Sequence, residues 1–199
     1  GCTMGGAAET ERRQPQCGGG ETRPPDIEGK GEVRQRALVR NALRRRPDRI
    51  IVGEVRGAEV LDMLQAMNTG HEGSMTTVHA NTPRDSFVRL ENMMGMAGMQ
   101  LPPKSARAQI SSALSAVIQI ARLADGRRKI VSIQEVTGME GDVVTMQEIY
   151  TYQQTGIAAD GSVSGHFRAT GIRPRFLERM RAYGLTLPDG MFDPTRIYE

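Results

Sequence analysis

The 199-residue chain has no tryptophan, only 4% aromatic residues and two cysteines. With so few rings, its core must be built from Leu, Ile, Val, Met and Ala, and twelve methionines supply adaptable packing surface. Cys2 and Cys17 are too few for a disulfide framework or a four-ligand zinc site. No stretch approaches the roughly 18 consecutive apolar residues of a membrane helix. No charged n-region followed by an apolar run opens the sequence, so no secretory signal is expected and a reducing compartment is the default. Lysine is scarce as well: only Lys30, Lys104 and Lys129 among 26 basic residues. The net charge of +3 is mild, and basic residues without interleaved aromatics or a reader motif give no reason to expect nucleic acid.

What is present suits a globular α/β protein. Residues 1–20, "GCTMGGAAETERRQPQCGGG", are rich in glycine and poor in apolar side chains. That composition predicts a disordered, non-native leader. From Val33 the apolar residues Val33, Ala37, Leu38, Ala42 and Leu43 follow helical spacing, and Pro47 marks the stop. Arg44, Arg45 and Arg46 then fall at the helix C-terminus, where cations oppose the dipole. "RIIVGE" reads as a buried parallel strand, Ala58 to about Asn68 as a helix closed by Gly70, and "SMTTVH" as a second strand. Asn81 or Thr82 caps a helix with Pro83 at its first position and Phe87, Leu90, Met94 and Ala97 on one face. A helix over about 104–114, the strand "AVIQIARL", a hairpin over about 130–137 and 142–152, a strand near "GSVSGHFRAT" and a short helix in "RPRFLERMRAY" follow. Parallel strands flanked by helices thus give way to an antiparallel extension and a short terminal helix.

The segment from Arg46 to Pro83 concentrates the chemistry. His71 and His79 lie too far apart for an H-E-x-x-H zinc helix, and no cysteine joins them. A nucleotide crevice fits better, because ligands of such sheets sit beyond the carboxyl ends of the strands. "RIIVGE" delivers Glu54 to that end and "SMTTVH" delivers His79. A carboxylate there can hold the water shell of Mg²⁺ or orient an attacking water, and an imidazole can donate to a phosphate oxygen. A surface salt bridge for Glu54 and a packed core imidazole for His79 are the plain alternatives.

The string "RPDRIIVGEVRGAEVLDMLQAMNTGHEGSMTTVHANTP" resembles the Walker B segment and His box of the type II/type IV secretion ATPases. "ETRPPDIEGKGEV" and "RPRFLERMRAYGLTLP" resemble, more narrowly, the CpaF-type ATPases of the tight-adherence (Flp/Tad) pilus. The resemblance covers about residues 21–199 and implies part of a RecA-like P-loop NTPase core over 21–152, with a β extension and terminal helix over 153–199. It makes Glu54 the Walker B acid, reaching Mg²⁺ through water, places Arg56 in the same turn, and assigns His71 and His79 to the His box. Arg23 lies where an arginine could reach a neighbouring subunit's phosphate. The resemblance further implies ATP and Mg²⁺, a homo-hexamer in the cytoplasm peripheral to the inner membrane, and inner-membrane platform proteins as partners. One departure stands out. No G-x-x-x-x-G-K-[ST] string occurs in the 199 residues, since "EGKGEV" lacks both its spacing and its hydroxyl. The expectation is a truncated C-terminal part of such an ATPase, inactive alone, or else a non-catalytic module that keeps ring and platform contacts.

Overall fold

The computed structural model describes residues 2–5, 17–71 and 73–198. By internal contacts the chain divides into two units, Gly1–Ala113 and Leu114–Glu199.

The first unit is a parallel sheet with helices. Strands β1 (Cys2–Gly5), β2 (Gly18–Glu21), β3 (Ile50–Val52) and β4 (Met75–Thr76) lie in the order β2-β1-β3-β4, every pair parallel. Helices α1 (Gln35–Arg44), α2 (Glu59–Asn68), α3 (Pro83–Met96) and α4 (Pro103–Ala113) connect and follow them. Central β3 pairs on both sides, which is why "IIV" is a continuous apolar run: Ile50 and Val52 are 2% and 1% exposed. Also buried in this unit are Val39 of α1, Val60, Met63 and Leu64 of α2, Phe87, Leu90 and Met94 of α3, and Ile110 of α4. Each such side chain contributes about 1.5–3 kcal/mol on full burial. Thr82 caps α3 by accepting a hydrogen bond from the Asp85 N–H at 3.1 Å, with Pro83 in the first turn. On the flank of α2, Asp62 is 8% exposed and receives Arg36 and Arg40 of α1 at 2.7 and 2.9 Å. Two guanidiniums satisfy that carboxylate and pin α1 to α2.

One feature differs from the sequence expectation. Residues 2–5 and 18–20, expected within a disordered leader, are strand; residues 6–16 of that leader lie outside the described residues. β1 is hydrogen-bonded on both edges, and its Thr3 and Met4 are 7% and 5% exposed. Gly20 of β2 sits at a close approach: a Cβ there would meet Met4 Sδ at 3.0 Å and Leu38 Cδ2 at 3.4 Å. The strands of the antiparallel sheet begin at Ala116, and the longest of them, Val143–Ile157, runs through residue 152.

That second unit is a sheet of β5 (Ala116–Arg122), β6 (Arg128–Glu140), β7 (Val143–Ile157), β8 (Val163–Ala169) and β9 (Ile197–Tyr198), in that order and all antiparallel. The turn Gly141–Asp142 closes the β6–β7 hairpin, with Gly141 at φ +60°. Tyr150, Phe167, Phe192 and Tyr198 form an aromatic cluster with Tyr150 at its centre, ring centroids 6.0 Å from each of the others. Helix α5 (Phe176–Ala182) is held at its start by Glu135, 3% exposed, which accepts from the Arg175 and Phe176 N–H groups at 3.0 and 2.9 Å. The α/β class, with a parallel sheet flanked by helices, an antiparallel C-terminal extension and a short terminal helix, is as the sequence predicts.

Candidate functional site

β3 ends at Val52, and the chain turns through Gly53–Glu54–Val55–Arg56–Gly57 before α2 begins. Gly53 N–H donates to Met4 of β1 at 2.6 Å, and its carbonyl accepts the Thr77 hydroxyl at 2.5 Å. Val55 N–H donates to the Thr77 carbonyl at 3.0 Å. The turn is therefore stitched to both neighbouring strands. "SMTTVH" forms ladder pairs only at Met75 and Thr76; beyond them it runs on without regular pairing to His79.

Glu54 and His79 meet. His79 Nε2 lies 3.0 Å from Glu54 Oε1, and Arg56 Nη2 donates to Oε2. Glu54 is well covered, its side chain 18% exposed, whereas His79 and Arg56 are 79% and 74% exposed. The Arg56 hydrogen bond holds the Glu54 carboxyl below its ordinary value of 4.5; burial opposes this, and the charges of Arg56, His79 and Arg89 add to it. Glu54 is thus a carboxylate at neutral pH. A depressed pKa makes it a weak proton acceptor and a good fixed hydrogen-bond acceptor, fit to orient water. A cleft of about 440 Å³ opens at His79, lined also by Ala80, Asn81, Asp85, Val88, Arg89 and Asn92.

A pH consequence follows from the direction of that shift. Because the folded pKa lies below 4.5, Glu54 contributes stability that is complete above about pH 4.5 and lost as pH falls through the folded value. Thermal melts of the unsubstituted chain and of Glu54→Gln should differ most above that pH and converge below it. A constant difference down to strongly acidic pH would show that the Arg56 pairing does not favour the ionised form.

The other expected site residues are placed elsewhere. His71 follows α2; its carbonyl accepts the Ser74 hydroxyl at 2.7 Å, and that oxygen accepts the Ile50 N–H at 2.9 Å. Its Nδ1 is buried and has no partner among the described residues. Arg23 is held in its own loop, with Nε on the Gly31 carbonyl at 2.7 Å and a backbone bridge to Val33. Three residues of the Glu54 surroundings were not singled out by the sequence. Gln35 donates from Nε2 to the Glu54 carbonyl, Glu59 accepts from two turn amides, and Arg89 lends its charge. A carboxylate in the first helical turn was the one available signal, for Glu59.

For Mg²⁺ the donor set is sparse. No group of three or more His, Cys, Asp or Glu side chains converges among the described residues. One carboxylate suits a Mg²⁺ held mainly by substrate phosphates and water, with Glu54 accepting from a coordinated water, and does not suit an all-protein cage.

A carboxylate and an imidazole delivered by neighbouring parallel strands to one end of the sheet define an α/β protein whose crevice lies where such sheets take ligands. Residues 18–172 match the family model described as type II/IV secretion system protein, and the chain belongs to that family. It is 45% identical over 137 residues to a Mycobacterium tuberculosis (strain H37Rv) protein named as a candidate conjugal transfer protein, covering 69% of this chain and 38% of that one. It is 33% identical over 110 residues to the type IV secretion system protein VirB11 of Bartonella henselae, covering 54% and 31%. Among solved structures it is similar to the VirB11 ATPase of the Brucella suis type IV secretion system in complex with sulphate. The TM-score is 0.58 at 27% identity, covering 67% of this chain and 39% of that chain. The chain thus spans under two-fifths of the length of these relatives.

Proposed function

We propose that this chain is the C-terminal part of a motor ATPase that couples ATP hydrolysis to type II/IV secretion or to assembly of a Flp/Tad-type pilus. The observation that carries the reading is the Glu54–His79 pair at the carboxyl end of the parallel sheet. In this reading Glu54 is the Walker B acid and orients the attacking water, His79 donates to the terminal phosphate, and Arg56 keeps Glu54 ionised. Mg²⁺, when bound with ATP, neutralises phosphate charge. His71 supports the turn between α2 and β4, and Arg23 is the candidate for reaching a neighbouring subunit. The likeness to a VirB11 ATPase that holds sulphate supports a phosphate-binding crevice. "ETRPPDIEGKGEV" and "RPRFLERMRAYGLTLP" support the CpaF-type assignment within the family. The complete protein is read as a cytoplasmic hexamer at the inner membrane, working on platform proteins. Among the described residues no helix is long and apolar enough to cross a membrane.

The test is a chimera in which residues 18–172 replace the matching segment of a complete family ATPase. It should form rings and release phosphate from ATP in a Mg²⁺-dependent way. A chimera that assembles and binds nucleotide without hydrolysing it would overturn the motor reading and leave a ring and platform interaction module.

A further inference from the structure

The turn carrying Glu54 is held by three residues distant in sequence and by one that closely follows it. Met4, Thr77 and Gln35 reach it from β1, from beyond β4 and from α1. The local anchor is Glu59. Its Oε1 accepts the Arg56 N–H at 2.7 Å and the Gly57 N–H at 3.0 Å, and the residue is 8% exposed. A covered carboxylate requires partners, and here two backbone amides supply them.

This is not ordinary helix capping. α2 begins at Glu59 with Ala58 at the N-cap, and Ala58 makes no side-chain cap. The Val60 and Leu61 N–H groups turn inward to the Gly57 and Ala58 carbonyls. Glu59 therefore serves the amides upstream of the helix, and one of them belongs to the residue whose guanidinium pairs with Glu54. A carboxylate accepting two N–H groups fixes the peptide planes on both sides of the Arg56 Cα, and with them the direction in which its side chain leaves the backbone.

We infer that Glu59 is a positioning residue of the Glu54 site: by binding the Arg56 and Gly57 amides it aims the Arg56 guanidinium at Glu54. The inference deepens the ATPase reading and rests on it for its kinetic consequence, but the clamp itself is measurable in the 199-residue chain without nucleotide. Gln35 closes the other side of the turn at the Glu54 carbonyl, so the acid is held from both flanks.

The experiment compares Glu59→Ala and Glu59→Gln with the unsubstituted chain by amide hydrogen exchange at Arg56 and Gly57 and by the NMR signal of the Arg56 guanidinium. Glu59→Ala should speed exchange at those two amides about tenfold or more, as expected for loss of a hydrogen bond to a charged acceptor. The guanidinium signal should at the same time broaden toward that of a free side chain. Glu59→Gln keeps an acceptor oxygen and should retain most of the protection and the guanidinium signal. Unchanged exchange in a folded Glu59→Ala overturns the inference. If Glu59→Ala fails to fold, Glu59→Met, which keeps the length of the side chain without an acceptor oxygen, takes its place, and unchanged exchange there overturns the inference. In the chimera, Glu59→Ala should lower kcat about tenfold or more with the KM for ATP nearly unchanged, and Glu59→Gln should restore kcat. An active chimera whose kcat ignores Glu59→Ala also overturns the positioning role. An inactive unsubstituted chimera counts against the ATPase reading, and the exchange measurement still decides the clamp.

Discussion

Glu54→Gln in the chimera should lower ATP turnover by about a hundredfold or more, the usual cost of removing a group that acts on developing charge in the transition state. Nucleotide should still bind. The substitution preserves shape and one oxygen, so the turn and its anchors through Thr77, Gln35 and Glu59 remain. What disappears is the charge that Arg56 and His79 are arranged around, and with it a strong fixed acceptor for water. Phosphate release measured beside a nucleotide titration checks this. Turnover within about tenfold of the unsubstituted chimera would remove Glu54 from the chemistry, because that is less than such a group ordinarily contributes.

His79→Ala should cut turnover by roughly ten- to a hundredfold, the equivalent of one hydrogen bond to a charged group. ADP binding should change little. His79 is largely exposed and packs against no core, so its removal leaves no cavity, and melting should barely move. Its Nε2 meets Glu54, and the residue lines the cleft with Asn81, Arg89 and Asn92; the terminal phosphate proposed to reach it is the part of ATP that ADP lacks. A comparison of ATP and ADP titrations with turnover separates the alternatives. Equal weakening for both nucleotides with kcat intact would remove His79 from the chemistry.

How far the sequence disclosed this site depended on what each residue announces. Glu54 and His79 were legible because each ends a segment that reads as a parallel strand, and parallel sheets gather strand ends. Thr82 and Pro83 announced α3 by chemistry specific to helix starts. α1 was placed with a shifted face. The predicted stripe included Ala37, which is exposed, and missed Val39, which is fully buried, because Val33 belongs to the bridge with Arg23 and the helix starts only at Gln35. β1 and β2 were illegible for a different reason. Glycine carries no side chain whose pattern could mark a strand, and the close approach it permits between β2 and Met4 appears only in three dimensions. Gln35 gave no sign, since a glutamine at a helix start is most often solvated.

The pairing of β1 inside the first sheet has a consequence for how the chain comes together. Cys2 sits opposite Ile50 and Thr3 opposite Ile51, so that sheet cannot close until residues far apart in sequence have met. Such closures lose loop entropy before any contact rewards it and slow the search for the native state. The second sheet has no such delay: its first four strands pair in chain order through short turns. During synthesis one edge of β1 therefore waits for β3, and through that interval its unpaired groups offer an open template to any other extended segment.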